Sequence, residues 1–357
     1  MKKINEILIS HSKHQGYHYE LLKNPPKKII FKQSIPPLRI KSKEFIFYDY
    51  EGNNKKPMHC YYYPIIYNGP FIIDIDHIYH PWLIDDNYFF NITLGKMPHP
   101  PNDNISKERL NLSKKIFSSK NCKQILPWSK WCEKTIRSYF KTDKINNKIT
   151  QIYPAVKNIK FRKEKKNSID LLFISDCFER KGGLQLIDSY KKIKNKYDIN
   201  LTIVTKYLNY SSKKLLDKLN IDLFSHLDKN NLFRLYKLSD IFVLPTLLDS
   251  FGIVLLEAMN FKLPIITTYG NGAPAMNEIV ENEKNGFLID LINKKNVPFF
   301  QEIPQKELIE KIKLLIEDDS LRRKMGNRGK KEIEEGKFCI QKRNKKLLKI
   351  YNKCFNF

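Results

Sequence analysis

Asp249 and Glu257 are two acids in a setting that asks for a chemical reason. They lie in the segment DIFVLPTLLDSFGIVLLEAMN, residues 240–260. A buried-strand pattern ends at Pro245, a loop carries Asp249-Ser250-Phe251-Gly252, and an apolar helix pattern begins at Ile253. A helix that starts just after a strand points unpaired amides into the loop, and such a terminus is a ready phosphate site. Asp249 or Ser250 is placed to cap it. Glu257 stands two turns past Ser250, between Leu256 and Ala258, where an unpaired acid is costly. Counted along a helix, the two acids are about 12 Å apart. A nucleoside diphosphate sugar is long enough to present hydroxyls to both carboxylates, one at each polyol end. Taken singly, Asp249 reads better as only a cap and Glu257 as a solvated helix residue.

A second segment, LLFISDCFERKGGLQL at residues 171–186, reads as strand, charged turn, Gly182-Gly183, then helix. Glycines let a diphosphate approach the backbone. Lys181 beside them would stabilise the charge gained by a departing nucleotide diphosphate. A Lys-Gly-Gly turn alone is also an ordinary solvated turn. A third segment, IIDIDHIYHPW at residues 72–82, puts Asp76, His77 and His80 just after a buried-strand pattern. His77 is the better placed for chemistry, although a lone histidine is commonly structural. Gly16 falls in the first strand-to-helix loop, where it either admits a ligand or simply makes a turn.

The elements that must position these groups alternate in the manner of an α/β protein. Strands are expected at 7–9, 70–74, 124–126 and 149–153, and Pro154 breaks the pattern. A polar, basic linker spans 157–168. A second series follows, with strands at 170–174, 200–205, 241–244 and 264–267, helices at 183–194, 230–238 and 253–260, and a helical region after the second strand up to Leu219. The chain is helical from Gln305 onward, where Leu308, Ile309, Ile312, Leu315 and Ile316 recur at helical spacing. The expected domains are therefore 1–156, the linker 157–168 and 169–340, with a helix at 341–357 crossing back to the first. Two doubly wound domains would place a ligand cleft between them.

With 357 residues, 41% hydrophobic and 12% aromatic, the chain is long and apolar enough for two cores, which excludes wholesale disorder. The net charge of +26 would attract nucleic acid, anionic lipid or a phosphorylated substrate. Lys, Ile and Asn are abundant together throughout, as an AT-rich coding sequence would produce, so scattered charge is the plainer reading. The six cysteines make no C-x-x-C pair and no metal-ligand spacing with histidine. They read as reduced thiols, and no metal is expected. The N-terminal apolar stretch is too short for a signal-peptide core, and no run would span a bilayer. The expectation is a cytoplasmic protein that could reach an anionic membrane surface through a basic patch.

FERKGG, SDIFVLPTLLDSFGIVLLEAM, PIITT, ENEKNGFLI and LRRKMGNRGKKEIEEGKF occur in an order that resembles glycosyltransferase family 4. The resemblance covers nearly all of 169–357. It is looser in the first half, through CKQILPWSKWCEKTIRSYF and IYPAV. It implies a retaining enzyme of the GT-B fold, with two Rossmann-like domains facing a central cleft. It implies a UDP- or GDP-type sugar donor, a glycan or lipid-linked acceptor and no metal. Glu257 would bind ribose and Asp249, where the family usually has Glu, the transferred sugar. Lys181 would bind phosphate, with Gly182, Ser250 and Phe251 around it and the amides of Gly252 and Ile253 on the phosphate or sugar. His77 would sit near the reacting sugar and Gly16 near donor or acceptor. Ser175-Asp176 departs from the family's Gly-Arg, whose arginine also holds the diphosphate. Arg180 either compensates or is a surface residue. That departure leaves a second reading open, a glycosyltransferase-like scaffold without turnover. A basic nucleic-acid-binding protein is a third reading, though no binding module is visible.

Overall fold

Strands buried on both faces need near-continuous apolar runs, and the runs in this chain become parallel strands for that reason. The structure, a computed structural model, describes residues 5–10, 20–34, 38–41, 46–49, 55–61, 64–78, 82–83, 105–163, 168–219, 221–293 and 301–357. Gly16 and His80 lie outside the described residues. Two units emerge, one made of Met1–Lys157 with Lys337–Phe357 and the other of Asn158–Gly336.

In the first unit, strands β1 (Asn5–Ile9), β2 (Ile29–Gln33), β5 (Met58–Tyr61), β7 (Phe71–Ile75) and β8 (Cys122–Pro127) form a sheet ordered β2-β1-β5-β7-β8. Every pairing in it is parallel. Strands β3 (Leu38–Lys41), β4 (Ile46–Asp49) and β6 (Ile65–Ile66) make a small side sheet. Helices α1 (Lys107–Ser118), α2 (Lys130–Tyr139) and α3 (Asp143–Asn146) follow. The first two are capped by Ser106 and Ser129, whose side chains accept the amides of Arg109 and Cys132. Trp82 stacks on Phe117, which meets Phe140 edge-to-face, in the core that these helices close. The expected strand at 149–153 reduces to a single bridge, Ile125 to Ile149, plus bonds from Thr150 and Ile152 to the edge of β8. The chain there leaves the sheet toward Pro154.

The second unit holds β9 (Ile169–Cys177), β10 (Ile199–Tyr207), β11 (Asp222–Phe224), β12 (Ile241–Leu244), β13 (Ile265–Tyr269) and β14 (Gly286–Asp290). Their spatial order is β11-β10-β9-β12-β13-β14, all parallel. Renumbered within the unit this is 3-2-1-4-5-6, the doubly wound order whose reversal between strands 1 and 4 opens a ligand crevice. The helices between them are α4 (Gly183–Ile193), α5 (Tyr210–Lys218), α6 (Lys229–Leu238), α7 (Ile253–Asn260) and α8 (Met276–Ile279). A short hairpin of β15 (Ile292–Asn293) and β16 (Gln301–Glu302) precedes α9 (Gln305–Glu317) and α10 (Asp319–Glu334). Lys330 of α10 ties the unit's entry segment down. Its ammonium donates to the carbonyls of Ile159 and Asn260 and to Asn260 Oδ1, at 2.7–2.8 Å. Burial pushes this lysine down to about 8.

Helix α11 (Ile340–Phe355) belongs to the first unit and buries Ile340, Arg343, Leu347, Ile350 and Tyr351. The Tyr351 hydroxyl lies 2.7 Å from Nδ1 of His59 on β5, whose Nε2 lies 2.6 Å from Asp74 on β7. No helix among the described residues is long and apolar enough to cross a membrane.

Candidate active site

Strands 1 and 4 of the second unit are β9 and β12, and the loops leaving their carboxyl ends carry Lys181 and Asp249. These loops are locked together. The Leu247 amide donates to the Arg180 carbonyl at 3.1 Å. Gly182 adopts φ +77°, and a Cβ on it would stand 1.9 Å from the Pro245 carbonyl oxygen. Only glycine tolerates both that conformation and that approach. Helix α4 starts directly after it, at Gly183.

The close approach sets the central pair. Lys181 Nζ lies 2.6 Å from Asp249 Oδ2, with the two side chains 10% and 12% exposed. The ammonium also donates to the Leu248 carbonyl at 3.0 Å. The Phe251 amide donates to Asp249 Oδ1 at 3.3 Å. A third loop, after β13, completes the arrangement. Asp249 donates its own amide to the Gly272 carbonyl at 2.8 Å, and the Gly272 amide donates to Gln301 Oε1 at 2.9 Å. Three carboxyl-end loops therefore fix one carboxylate opposite one ammonium.

The expected cap is corrected. Helix α7 begins at Ile253 with Gly252 as N-cap and no side-chain cap bond. Asp249 instead turns its carboxylate to the Phe251 amide, and Ser250 lies in the loop before the cap. Gly252 and Phe251 give their carbonyls to Leu255 and Ile253. The residues 249–252 before the helix are thus non-helical, so Asp249 and Glu257 are not joined by an unbroken helix.

Glu257 sits on α7, half-buried, and it has a partner that sequence reasoning missed. The hydroxyl of Tyr236, on α6, donates to Glu257 Oε2 at 2.9 Å. Tyr236 is fully buried and stacks on Phe261 at 5.5 Å. Burial first, and then the neighbouring carboxylate, push its phenol well above the ordinary value, so it stays a donor. Tyr236 reads as a core aromatic in the α6 periodicity, and nothing in the sequence distinguishes its hydroxyl.

Asp176 closes the charge pattern by pairing with Arg180 at 2.7 Å. Desolvation alone would raise its carboxyl, but the charges of Lys181 and Arg180 outweigh this and hold it below the ordinary value. Arg180 is 18% exposed, and its Nε is buried without a hydrogen-bond partner. His77 belongs to the other unit. It stands half-buried two residues past the end of β7, its amide donating to Asp76 Oδ1 at 2.8 Å.

Two Rossmann-like units of parallel strands and helices define the GT-B class of fold. Residues 156–332 match the family described as "Glycosyl transferases group 1". The capsular polysaccharide biosynthesis glycosyltransferase CapM of Staphylococcus aureus is 29% identical over 214 residues, covering 58% of this chain and 50% of that protein. The chain spans about half the length of the curated relatives it matches. Among solved structures, a glycosyltransferase from Rickettsia africae superposes with a TM-score of 0.65 at 17% identity, covering 99% of each chain. Anabaena HepE, in complex with UDP and glucose, gives 0.62 at 12% identity over 97% of this chain and 98% of that one. At such identities the likeness is one of fold. The fold is of the GT-B class, and residues 156–332 are similar to the group 1 glycosyltransferases.

Proposed function

We propose that the chain transfers a sugar from a nucleoside diphosphate donor to an acceptor hydroxyl, the donor being held by the Asn158–Gly336 unit. The observation that carries this is the meeting of Lys181 and Asp249 where the strand order reverses, the usual ligand crevice of such sheets. Lys181 takes the diphosphate and stabilises the charge that develops as it leaves. Asp249 accepts hydroxyls of the transferred sugar, and Glu257, steadied by Tyr236, accepts those of the ribose. The acceptor attacks from the face the diphosphate leaves, which retains anomeric configuration without a protein nucleophile, as in family 4. His77 lies near the reacting sugar in this reading.

The UDP-bound neighbour supports a UDP-type donor, with a GDP-type donor as the alternative. The capsular polysaccharide relative supports a glycan or lipid-linked acceptor. Peripheral contact with an anionic membrane is supported by α11. Lys342, Lys345, Lys346, Lys349 and Lys353 are exposed on it, and no acid occurs anywhere in the helix.

The purified chain should hydrolyse or transfer from one member of a panel of UDP- and GDP-sugars, with the product anomer read by NMR. Turnover should fall roughly 10²–10³-fold in Lys181→Ala and should also drop in Glu257→Ala. A chain without turnover on any donor would be the scaffold, and an inverted product would remove the retaining mechanism.

A further inference from the structure

We infer that Lys181 and Asp249 hold each other's place in the absence of donor, and that breaking this pair makes the site discriminate against a nucleoside diphosphate without a sugar. The inference rests on the donor reading above.

Asp249 cannot follow its lysine. Its amide is held by Gly272, its Oδ1 accepts the Phe251 amide, and the Gly272 amide is itself anchored on Gln301. A diphosphate that draws the ammonium toward its own oxygens therefore takes it from a carboxylate that stays where it is. Asp249 is then left almost buried beside an incoming negative charge. A buried charge stripped of its partner is the expensive case. The other cation of the cluster, the Arg180 guanidinium, attracts Asp249 only at range, because its hydrogen bond goes to Asp176 at 2.7 Å.

Sugar hydroxyls are the group that replaces the lost ammonium, since each donates a hydrogen bond to the carboxylate. A nucleotide sugar brings phosphate for Lys181 and hydroxyls for Asp249 in one molecule, so both members of the broken pair are satisfied. A bare diphosphate satisfies the lysine alone. After transfer the sugar has gone to the acceptor and Asp249 is stranded, so re-formation of the pair expels the leaving diphosphate. Asp249 thus couples phosphate recognition to sugar recognition and favours release of the product nucleotide.

Calorimetric titration of the chain with UDP and GDP, and with UDP-glucose, UDP-N-acetylglucosamine and GDP-mannose, tests this. The quantity read is the ratio of Kd for the bare diphosphate to Kd for the sugar of the same base. Asp249→Asn should lower that ratio at least about tenfold, mainly by tightening the bare diphosphate, a change worth about 1.4 kcal/mol. Asp249→Glu, which keeps the charge, should leave the ratio near that of the parent. Should Asp249→Asn not fold, Asp249→Ser decides by the same ratio. Asp249→Asn moving both affinities by one factor, or weakening UDP and GDP, overturns the inference. Lys181→Ala separates the two levels. If it weakens both ligands while Asp249→Asn leaves the ratio untouched, only the coupling falls. If Lys181→Ala changes neither affinity, the donor reading falls with it.

Discussion

Each unit carries a polar cluster brought together from distant strands, and the two are built to opposite ends. In the first unit His59, Asp74 and Tyr351 are wholly buried and bond one another at 2.6 and 2.7 Å. In the second, Lys181 and Asp249 meet at 2.6 Å but keep 10% and 12% of their side chains exposed. The sealed cluster joins two strands to the closing helix α11, and its three side chains are fully buried. The open pair lies on loops past the strand ends, where an incoming anion can exchange with one partner. Burial decides which cluster braces a fold and which one is available for chemistry.

The largest expected effect breaks the sealed cluster. Asp74→Ala leaves a buried imidazole without its acceptor and should cost about 3–5 kcal/mol. For a unit of this size that lowers the melting midpoint by roughly 10 °C. Its kcat at a temperature where the variant is folded should stay near the parent value, and a large loss there would contradict a bracing role. Lys181→Ala should do the reverse, with turnover falling roughly 10²–10³-fold and a smaller loss of stability than Asp74→Ala, because the stranded Asp249 carboxylate keeps 12% of its side chain exposed where Asp74 keeps none. Equal loss of stability and turnover in Lys181→Ala would erase the contrast.

Smaller effects sharpen it. Tyr236→Phe removes the donor that steadies Glu257 and should cost about 1–2 kcal/mol in donor binding, read as a raised KM with kcat nearly kept. Asp176→Asn tests the pair with Arg180, which is more exposed than Lys181–Asp249 or His59–Asp74. Because the Asp176 carboxyl is held below its ordinary value of 3.8, its contribution is complete above that pH and is lost as pH falls further. The side chain is 58% exposed, so solvent screening limits the effect at neutral pH to under about 1 kcal/mol. Urea denaturation at pH 7 and pH 3 should show parent and variant converging at the acid end.

Much of the second unit is legible as sequence, because parallel strands buried on both faces must be apolar runs and their connecting helices must be amphipathic. The patterns give α7 at Ile253–Asn260 and β12 at Ile241–Leu244 as they stand in the structure. The first unit is less readable. Its strands β2 and β5 carry Lys32 and His59 within short runs, and their character depends on neighbours far along the chain. The cap expected at Asp249 or Ser250 falls instead on Gly252, since a local rule for helix starts takes no account of the Lys181 ammonium that competes for the Asp249 carboxylate.

Residue types and order alone determined that two acids and a Lys-Gly-Gly turn follow apolar strands, because those choices are local. Only the tertiary structure decided that Lys181 faces Asp249, that Tyr236 serves Glu257, and that Asp176 engages Arg180. The first two pairings cross from one loop or helix to another, and such distances are set by how β9 and β12 lie side by side in the sheet. The third lies within a single turn, yet its neighbour Lys181 couples it to the same cluster.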